Sequence, residues 1–141
     1  MRGPTMAVIL NPYIHLIDNA REALEYYRLV FGGELVMSTF GGSGMPMDPS
    51  ESEKIMHGQL TTTSGFTIMA SDTPSFIEPN PGRTVEISIS GDAADELRGY
   101  WDKLADGGEI EQPLVQAPWG DTFGMLVDRF GIAWMINILG S

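Results

Sequence analysis

The side chains of this 141-residue chain best suited to chemistry are its two histidines, His15 and His57, and a carboxylate, Glu86. His15 lies in the run Tyr-Ile-His-Leu and His57 in the run His-Gly-Gln-Leu-Thr, and polar and apolar residues alternate in both. Alternation with a period of two is typical of a strand with one packed face. We therefore expect Tyr13 and His15 on the polar face of one strand, and His57 and Gln59 on the polar face of another.

The same alternation predicts the packed faces of these strands. Ile14 and Leu16 are expected to pack beneath a helix on the first strand, and Met56 and Leu60 to share one face of the second. The run around Glu86 predicts a third strand with a packed face of Val85, Ile87 and Ile89 and a polar face of Thr84, Glu86, Ser88 and Ser90. If the polar faces line one concave side, the two histidines and Glu86 share a cleft.

Two kinds of chemistry suit these three side chains. His15, His57 and Glu86 are candidate ligands for one divalent metal ion, because two imidazoles and a carboxylate form the triad of non-haem iron sites. His57 and Glu86 could instead form a catalytic acid–base pair without a metal. The three residues come from separate strands and lack a local ligand spacing such as HxH or HExxH. Ordinary roles as hydrogen-bonded or solvated strand residues therefore stay open, and no cofactor is certain.

Flexible and aromatic side chains add candidate ligand contacts. Met69 and Met135 occupy matching places in the two halves of the chain and could line a pocket, since methionine adapts to irregular shapes. Trp119 and Trp134 lie in an aromatic cluster near the C-terminus, where most rings are expected in a core or an interface. The predicted ligand-binding set is Tyr13, His15, Gln59, Met69, Trp119, Trp134 and Met135.

Signatures of several other chemistries are absent from the sequence. There is no GxSxG nucleophile motif, no GxxxxGK[ST] phosphate loop, and no GxGxxG after a predicted strand. The chain has no cysteine, which excludes disulfides, thiolate zinc sites and a cysteine nucleophile.

An internal repeat supplies the elements that must position these residues. The segment AREALEYYRLVFGGEL at 20–35 recurs about 74 residues later as ADELRGYWDKLADGGEI at 94–110, and the ends of the two halves match at an offset of 66. Each half reads as a strand, a helix, an extended segment, and two strands joined by a tight turn. The two turns are expected at Ser64-Gly65 and at Arg129-Phe130-Gly131.

The helix boundaries are also predicted from residue type. Asn19 with Glu22 has the spacing of a capping box, and Asp92 with Asp95 is a weaker version of it. Gly32 and Gly107 are expected to adopt the positive φ that ends each helix. The buried helix positions are predicted to be Ala20, Ala23, Tyr27 and Val30 in the first copy and Ala94, Leu97, Trp101 and Leu104 in the second.

Length, composition and charge limit the function further. Two modules of roughly 70 residues would each be marginal alone, so one domain of residues 1–141 is predicted, with modules at about 8–72 and 83–139. The formal net charge of -11 disfavours nucleic acid and anionic membranes as partners. Neither a signal peptide nor a membrane span is predicted, so a cytoplasmic location is expected.

One irregular segment, Gly41 to Lys54, is rich in Gly, Pro, Ser and acidic residues. It is predicted to be a mobile loop, which could be a plain connector or a flap over a ligand. Met45 and Met47 could close such a flap over an apolar ligand.

With these residues in view, the chain resembles the vicinal oxygen chelate superfamily, which includes glyoxalases, bleomycin-resistance proteins and extradiol dioxygenases, and within it the PhnB-like group. The resemblance spans Pro12 to Ile138 and rests on four motifs. They are PYI near the start, the block at Asn19 to Glu34, the MHGQL strand at Met56 to Leu60, and the ending WGDTFGMLVDRFGIAWMIN at Trp119 to Asn137.

The resemblance implies an α+β fold of two βαβββ modules, whose open, curled mixed sheets surround a cleft with the helices outside, and a homodimer. It also implies metal ligands at or near Pro12 or Tyr13, at His57, at Thr84 or Glu86, and at Met135. Only His57 clearly keeps a ligand-type residue, and Met135 stands where metal-dependent relatives carry a glutamate. Relatives of the group are often labelled demethylubiquinone methyltransferases, but no glycine-rich turn suited to S-adenosylmethionine is present.

Three functions are compatible with these observations. The first is a protein that binds a small, partly apolar ligand of neutral or positive charge. The second is a divalent-metal-dependent lyase, isomerase or dioxygenase acting on a small substrate with neighbouring oxygens, with His57 as a ligand. The third is a metal-free enzyme using His57 and Glu86 as its acid–base pair.

Overall fold

In the computed structural model, which describes residues 10–44, 48–74 and 85–140, the order strand, helix and three strands occurs twice. The chain divides into two units, Met1–Pro79 and Asn80–Ser141. Both have the α+β composition that the family resemblance implied. The predicted flap residues Met45 and Met47, and Thr84 of the predicted third strand, lie outside the described residues.

The first unit contains one four-stranded mixed sheet with a helix on one face. Its elements are β1 (Tyr13–Leu16), α1 (Ala20–Phe31), β2 (Glu34–Thr39), β3 (Ile55–Thr61) and β4 (Thr67–Asp72). The strand order is β1-β4-β3-β2, in which β1 and β4 are parallel and the other neighbours are antiparallel. The helix and strands bury a core that includes Leu24, Tyr27, Leu60 and Ile68.

The second unit repeats this topology. Its elements are β5 (Ile87–Gly91), α2 (Ala94–Ala105), β6 (Glu109–Gln116), β7 (Thr122–Val127) and β8 (Ala133–Ile138). The strand order β5-β8-β7-β6 again has one parallel pair, β5 with β8, and two antiparallel pairs. The two βαβββ modules predicted from the sequence are therefore confirmed.

A glycine in the third strand of each unit brings the helix close to the sheet. A Cβ atom at Gly58 would lie 2.2 Å from Cδ1 of Leu24, and a Cβ atom at Gly124 would lie 2.7 Å from Cη2 of Trp101. Gly58 and Gly124 are equivalent in the repeat, and both contacted side chains are buried. The same close approach of helix to strand therefore recurs in both units.

The helix starts differ from the prediction. Asn19 makes no capping bond, and its Oδ1 is buried without a hydrogen-bond partner among the described residues. Asp72 at the end of β4 takes that role, since its Oδ1 accepts from the Ala20 amide at 2.9 Å and its Oδ2 from the Ile55 amide at 2.8 Å. The capping box predicted for Asp92 and Asp95 is also wrong, because α2 starts after Ala93 and has no side-chain cap.

The helix ends and most buried helix positions agree with the prediction. Gly32 and Gly107 have φ values of 71° and 80°. The predicted buried positions are confirmed except for Ala94, which is exposed at the start of α2. Val85 also differs, because it precedes β5 and is 79% exposed, so Ile87 and Ile89 alone form the inward face of that strand.

The base of the predicted flap is held by hydrogen bonds and an ion-pair cluster. The Phe40 amide donates to the Lys54 carbonyl at 3.0 Å and the Gly41 amide to the Ser52 carbonyl at 2.8 Å. Lys54 Nζ lies 2.7 Å from Asp18 Oδ1 and also pairs with the buried Glu51. The bond to Asp18, followed by that to Glu51, raises the pKa of Lys54 above its usual value. The described parts of this segment are thus tied to the first sheet.

We predict opposite effects for two glycine-to-alanine changes in the second unit. Gly124→Ala should lower the free energy of unfolding by about 1–3 kcal/mol, because the new methyl group meets the Trp101 ring and the Leu114 backbone. Gly99→Ala, inside α2 with no atom near its Cβ position, should raise it by up to about 1 kcal/mol through helix propensity. Urea denaturation followed by tryptophan fluorescence measures both, and equal stability of Gly124→Ala and wild type would contradict the packing argument.

Candidate functional site

The predicted polar face of β1 is confirmed. Ile14 and Leu16 are each 7% exposed and pack toward the core, whereas Tyr13 is 40% exposed and His15 is also exposed. The side chains of Tyr13 and His15 therefore lie on the sheet face opposite α1, which we call the open face of the first unit.

The polar face of β3 is confirmed, with one change in the packed face. Gln59 and Thr61 are exposed and His57 is half-buried, while Leu60 is fully buried. The pairing of β2 with β3 skips from Ser38–His57 to Thr39–Ile55, which leaves an extra residue at Met56. This bulge puts Ile55 in the core and leaves Met56 only partly buried, so the prediction of Met56 as the packed residue was wrong.

One row of paired residues crosses all four strands of the first unit. Tyr13 pairs with Met69, Met69 with Gln59, and Gln59 with Val36. Residues paired across neighbouring strands point to the same face. The open face therefore carries the predicted residues Tyr13, Gln59 and Met69 together, and Val36, which is 70% exposed, extends the row. Val36 was not predicted to lie on this face, although the alternating pattern of Glu34–Thr39 indicates that position.

Tyr13 connects the two histidines on this face. Its Oη lies 3.2 Å from Nδ1 of His57, and the two ring centroids are 5.7 Å apart. Its ring also stacks on His15 at 5.0 Å with an interplanar angle of 28°. The structure thus brings the two predicted histidines to one tyrosine, a link that the sequence did not indicate because residues 13 and 57 are far apart in the chain.

The direction of the hydrogen bond between Tyr13 and His57 decides what His57 can offer to a ligand. A tyrosine hydroxyl that donates to Nδ1 leaves the proton of the neutral imidazole on Nε2. His57 then presents a donor at Nε2, and Gln59 beside it presents an amide with both a donor and an acceptor. These groups, the two aromatic rings and the Met69 side chain suit a flat, partly apolar molecule with a hydrogen-bonding oxygen.

The metal role predicted for His15, His57 and Glu86 stays a prediction, because the two histidines lie in the first unit and Glu86 in the second. Within residues 10–44, 48–74 and 85–140, no group of three or more His, Asp or Glu side chains could hold a metal ion. Nδ1 of His57 is already hydrogen-bonded to Tyr13, which leaves one nitrogen of that imidazole for another partner. A protein metal site ordinarily needs three or four ligands, so the two histidines of the first unit would not complete one by themselves.

The remaining predicted site residues lie in the second unit. Glu86 is half-buried just before β5, and Met135 is half-buried on β8, where it pairs with Ser88. Trp119 is 66% exposed in the turn before β7, with its ring centroid 6.4 Å from that of Phe123. The catalytic role predicted for Glu86 and the ligand contacts predicted for Trp119 and Met135 stay predictions.

Trp134 lies in the core of the second unit. It is 1% exposed, and its indole nitrogen donates to Oδ2 of Asp128 at 2.8 Å. Oδ1 of Asp128 also accepts from the amides of Phe130 and Ile132, so this buried carboxylate organises the turn between β7 and β8. A ligand on the surface would not reach Trp134 in this conformation.

Comparison with known proteins now identifies the family. A family model described as 3-demethylubiquinone-9 3-methyltransferase matches residues 9–137. The chain belongs to this family. This family is the PhnB-like group that the sequence resemblance indicated, and solved proteins described as glyoxalase/bleomycin resistance protein/dioxygenase members share its fold.

Three relatives illustrate the similarity. Protein PA1353 from Pseudomonas aeruginosa is 37% identical, with a TM-score of 0.83 over 94% of this chain and 98% of that one. Protein YjdN of Escherichia coli K12 is 27% identical over 92% of this chain and 95% of its own length. A putative 3-demethylubiquinone-9 3-methyltransferase, PhnB protein, from Bacillus cereus is 23% identical, with a TM-score of 0.74 over 94% of this chain and 100% of that one.

No helix in the described part of the chain is long and apolar enough to cross a membrane.

We predict that Tyr13 sets the tautomer of His57. In the wild type, the neutral His57 ring should carry its proton on Nε2, and Tyr13→Phe should move it toward a mixture of tautomers by removing the partner of Nδ1. Phe keeps the ring that stacks on His15, so the His15 signals provide an internal control. Nitrogen-15 NMR of the imidazole rings measures the tautomers, and an unchanged His57 spectrum in Tyr13→Phe would contradict the assignment.

Proposed function

We propose that the protein binds a small, partly apolar molecule on the open face of the first unit. The observation that carries this proposal is the Tyr13–His57 hydrogen bond, which holds two aromatic rings and a ring nitrogen at the surface beside Gln59 and Met69. Sites for small ligands combine apolar area with a few precisely placed polar groups, and the open face supplies both.

The chemistry of the face supports a ligand with a planar ring and one oxygen. The rings of Tyr13 and His57 offer flat contact area, and Tyr13 can also attract a cation at its face. The formal net charge of -11 favours a neutral or cationic ligand over an anionic one. We therefore expect ring stacking near Tyr13 and a hydrogen bond from Nε2 of His57 or the amide of Gln59 to the ligand oxygen.

The methyltransferase activity in the family description is not part of this proposal. An S-adenosylmethionine site of the usual kind needs a glycine-rich turn from a strand into a helix. The connection from β1 to α1 is Ile17-Asp18-Asn19, and that from β5 to α2 is Asp92-Ala93, preceded by a single glycine, Gly91, at the end of β5. Neither connection has that composition.

A homodimer is also proposed, as the fold family implies. Val36 on edge strand β2 is 70% exposed and Leu29 on α1 is 74% exposed, and apolar side chains at such places are common in contacts between subunits. Light scattering coupled to size exclusion should give twice the mass of 15.4 kDa, and a single-chain mass at all concentrations would overturn the dimer.

A matched pair of phenols tests ligand binding. Tyramine, a cationic phenol, should cause saturable NMR shifts at the Met69 methyl group and the His57 ring, and 4-hydroxyphenylacetate, its anionic counterpart, should bind more weakly. His57→Ala should weaken tyramine binding about fivefold, the effect of one lost hydrogen bond of about 1 kcal/mol.

Glu25→Gln, on the exposed side of α1, is the control and should leave the affinity unchanged. Shifts that avoid Tyr13, His57 and Met69, or an affinity that does not respond to His57→Ala, would overturn the assignment of the open face.

A further inference from the structure

A cavity of about 230 Å³ lies between helix α2 and strand β6 in the second unit. It is lined by Arg98, Trp101 and Asp102 of the helix and by Ile110, Pro113 and Leu114 of the strand. None of these residues belongs to the predicted site. The volume is below the range of about 300–1,000 Å³ that is typical of sites for drug-sized ligands, so an occupant must be smaller.

Beside this cavity, the helix–sheet contact of the second unit is filled by different residues from that of the first. At an offset of 74, Arg98 takes the place of Leu24, which is fully buried and lies against Gly58. In the second unit Trp101, and not the residue at the Leu24 position, packs against the equivalent glycine, Gly124. The buried leucine of the first unit is thus replaced by an exposed cation, Arg98.

An irregularity in β6 forms the opposite wall. The pairing of β6 with β7 shifts register between Ile110 and Gln112 and again between Gln112 and Val115, whereas β2 pairs evenly with β3 from Glu34 to Ser38. Such bulges bend a strand locally. The second irregularity spans Pro113 and Leu114, whose side chains line the cavity.

The rim of the cavity carries one positive and one negative group. Arg98 and Asp102 are four residues apart on α2, so both lie on one side of the helix. Both are exposed, and neither makes an ion pair or side-chain hydrogen bond with another described residue. A guanidinium binds a carboxylate, and a carboxylate binds an ammonium group.

We propose that this cavity binds a small zwitterion with an apolar side chain, such as a hydrophobic amino acid. Arg98 binds the carboxylate, Asp102 binds the ammonium group, and the apolar side chain lies against Trp101, Ile110, Pro113 and Leu114. The charge pair at the rim and the four apolar side chains of the lining together select this class over a purely anionic or purely cationic molecule.

L-leucine and two analogues test the proposal by NMR titration. Leucine should cause saturable shifts at the Trp101 indole and the Leu114 amide. 4-Methylpentanoate, which lacks the ammonium group, and 3-methylbutylamine, which lacks the carboxylate, should each bind about threefold more weakly, a loss within the range of one exposed charge pair.

Charge-removing variants separate a direct contact from a structural effect. Arg98→Gln should weaken leucine about threefold and leave 3-methylbutylamine unchanged, and Asp102→Asn should weaken leucine by a similar factor and leave 4-methylpentanoate unchanged. Arg21→Gln on α1 removes the same charge outside the cavity and should change neither. The absence of saturable shifts up to the solubility limit of leucine, or equal losses for all three ligands in Arg98→Gln, would overturn the proposal.

The outcome of the leucine titration does not depend on whether the proposed function is correct. The tyramine test reports on Tyr13, His57 and Met69 in the first unit, whereas the leucine test reports on Trp101 and Leu114 in the second. Either test can fail while the other succeeds.

Discussion

The close approach of a helix to a glycine in the third strand is the constraint on which both units depend. At Gly58 the side chain of Leu24 occupies the space where a Cβ atom would be, and at Gly124 the ring of Trp101 does so. Each helix therefore covers one face of its sheet, and the residues of alternate strand positions must lie on the other face. In the first unit this rule puts Tyr13 and His57 together, although they are far apart in the chain.

The duplication preserves the scaffold while the side chains that suit ligand binding differ between units. His57 falls on Phe123 at the offset that aligns the ends of the two halves, so the histidine of the open face has no counterpart in the second unit. Conversely, Arg98 replaces the buried Leu24 in the second unit, where it lines a cavity beside α2. One topology thus supports two different surfaces, as expected when function depends on sites rather than on the fold.

Sequence patterns correctly predicted the features that depend on neighbouring residues in the chain, such as strand faces and the order of elements. The two-residue period placed Ile14 and His15 on the correct faces of β1, and the repeat predicted the order of elements in both units. Features that depend on distant residues were missed. The carboxylate of Asp72 takes the helix amide assigned to Asn19, and the bulge at Met56 reflects pairing with β2. The hydrogen bond between Tyr13 and His57 likewise requires knowledge of strand order, which the alternation alone does not contain.

A crystal structure of the protein with tyramine tests the central claim, that the open face of the first unit is the ligand site, most directly. The account predicts density for the phenol ring beside Tyr13 and Met69, with the phenol oxygen within hydrogen-bonding distance of His57 or Gln59. A phenol ring bound only elsewhere on the protein, with the open face free, would contradict it.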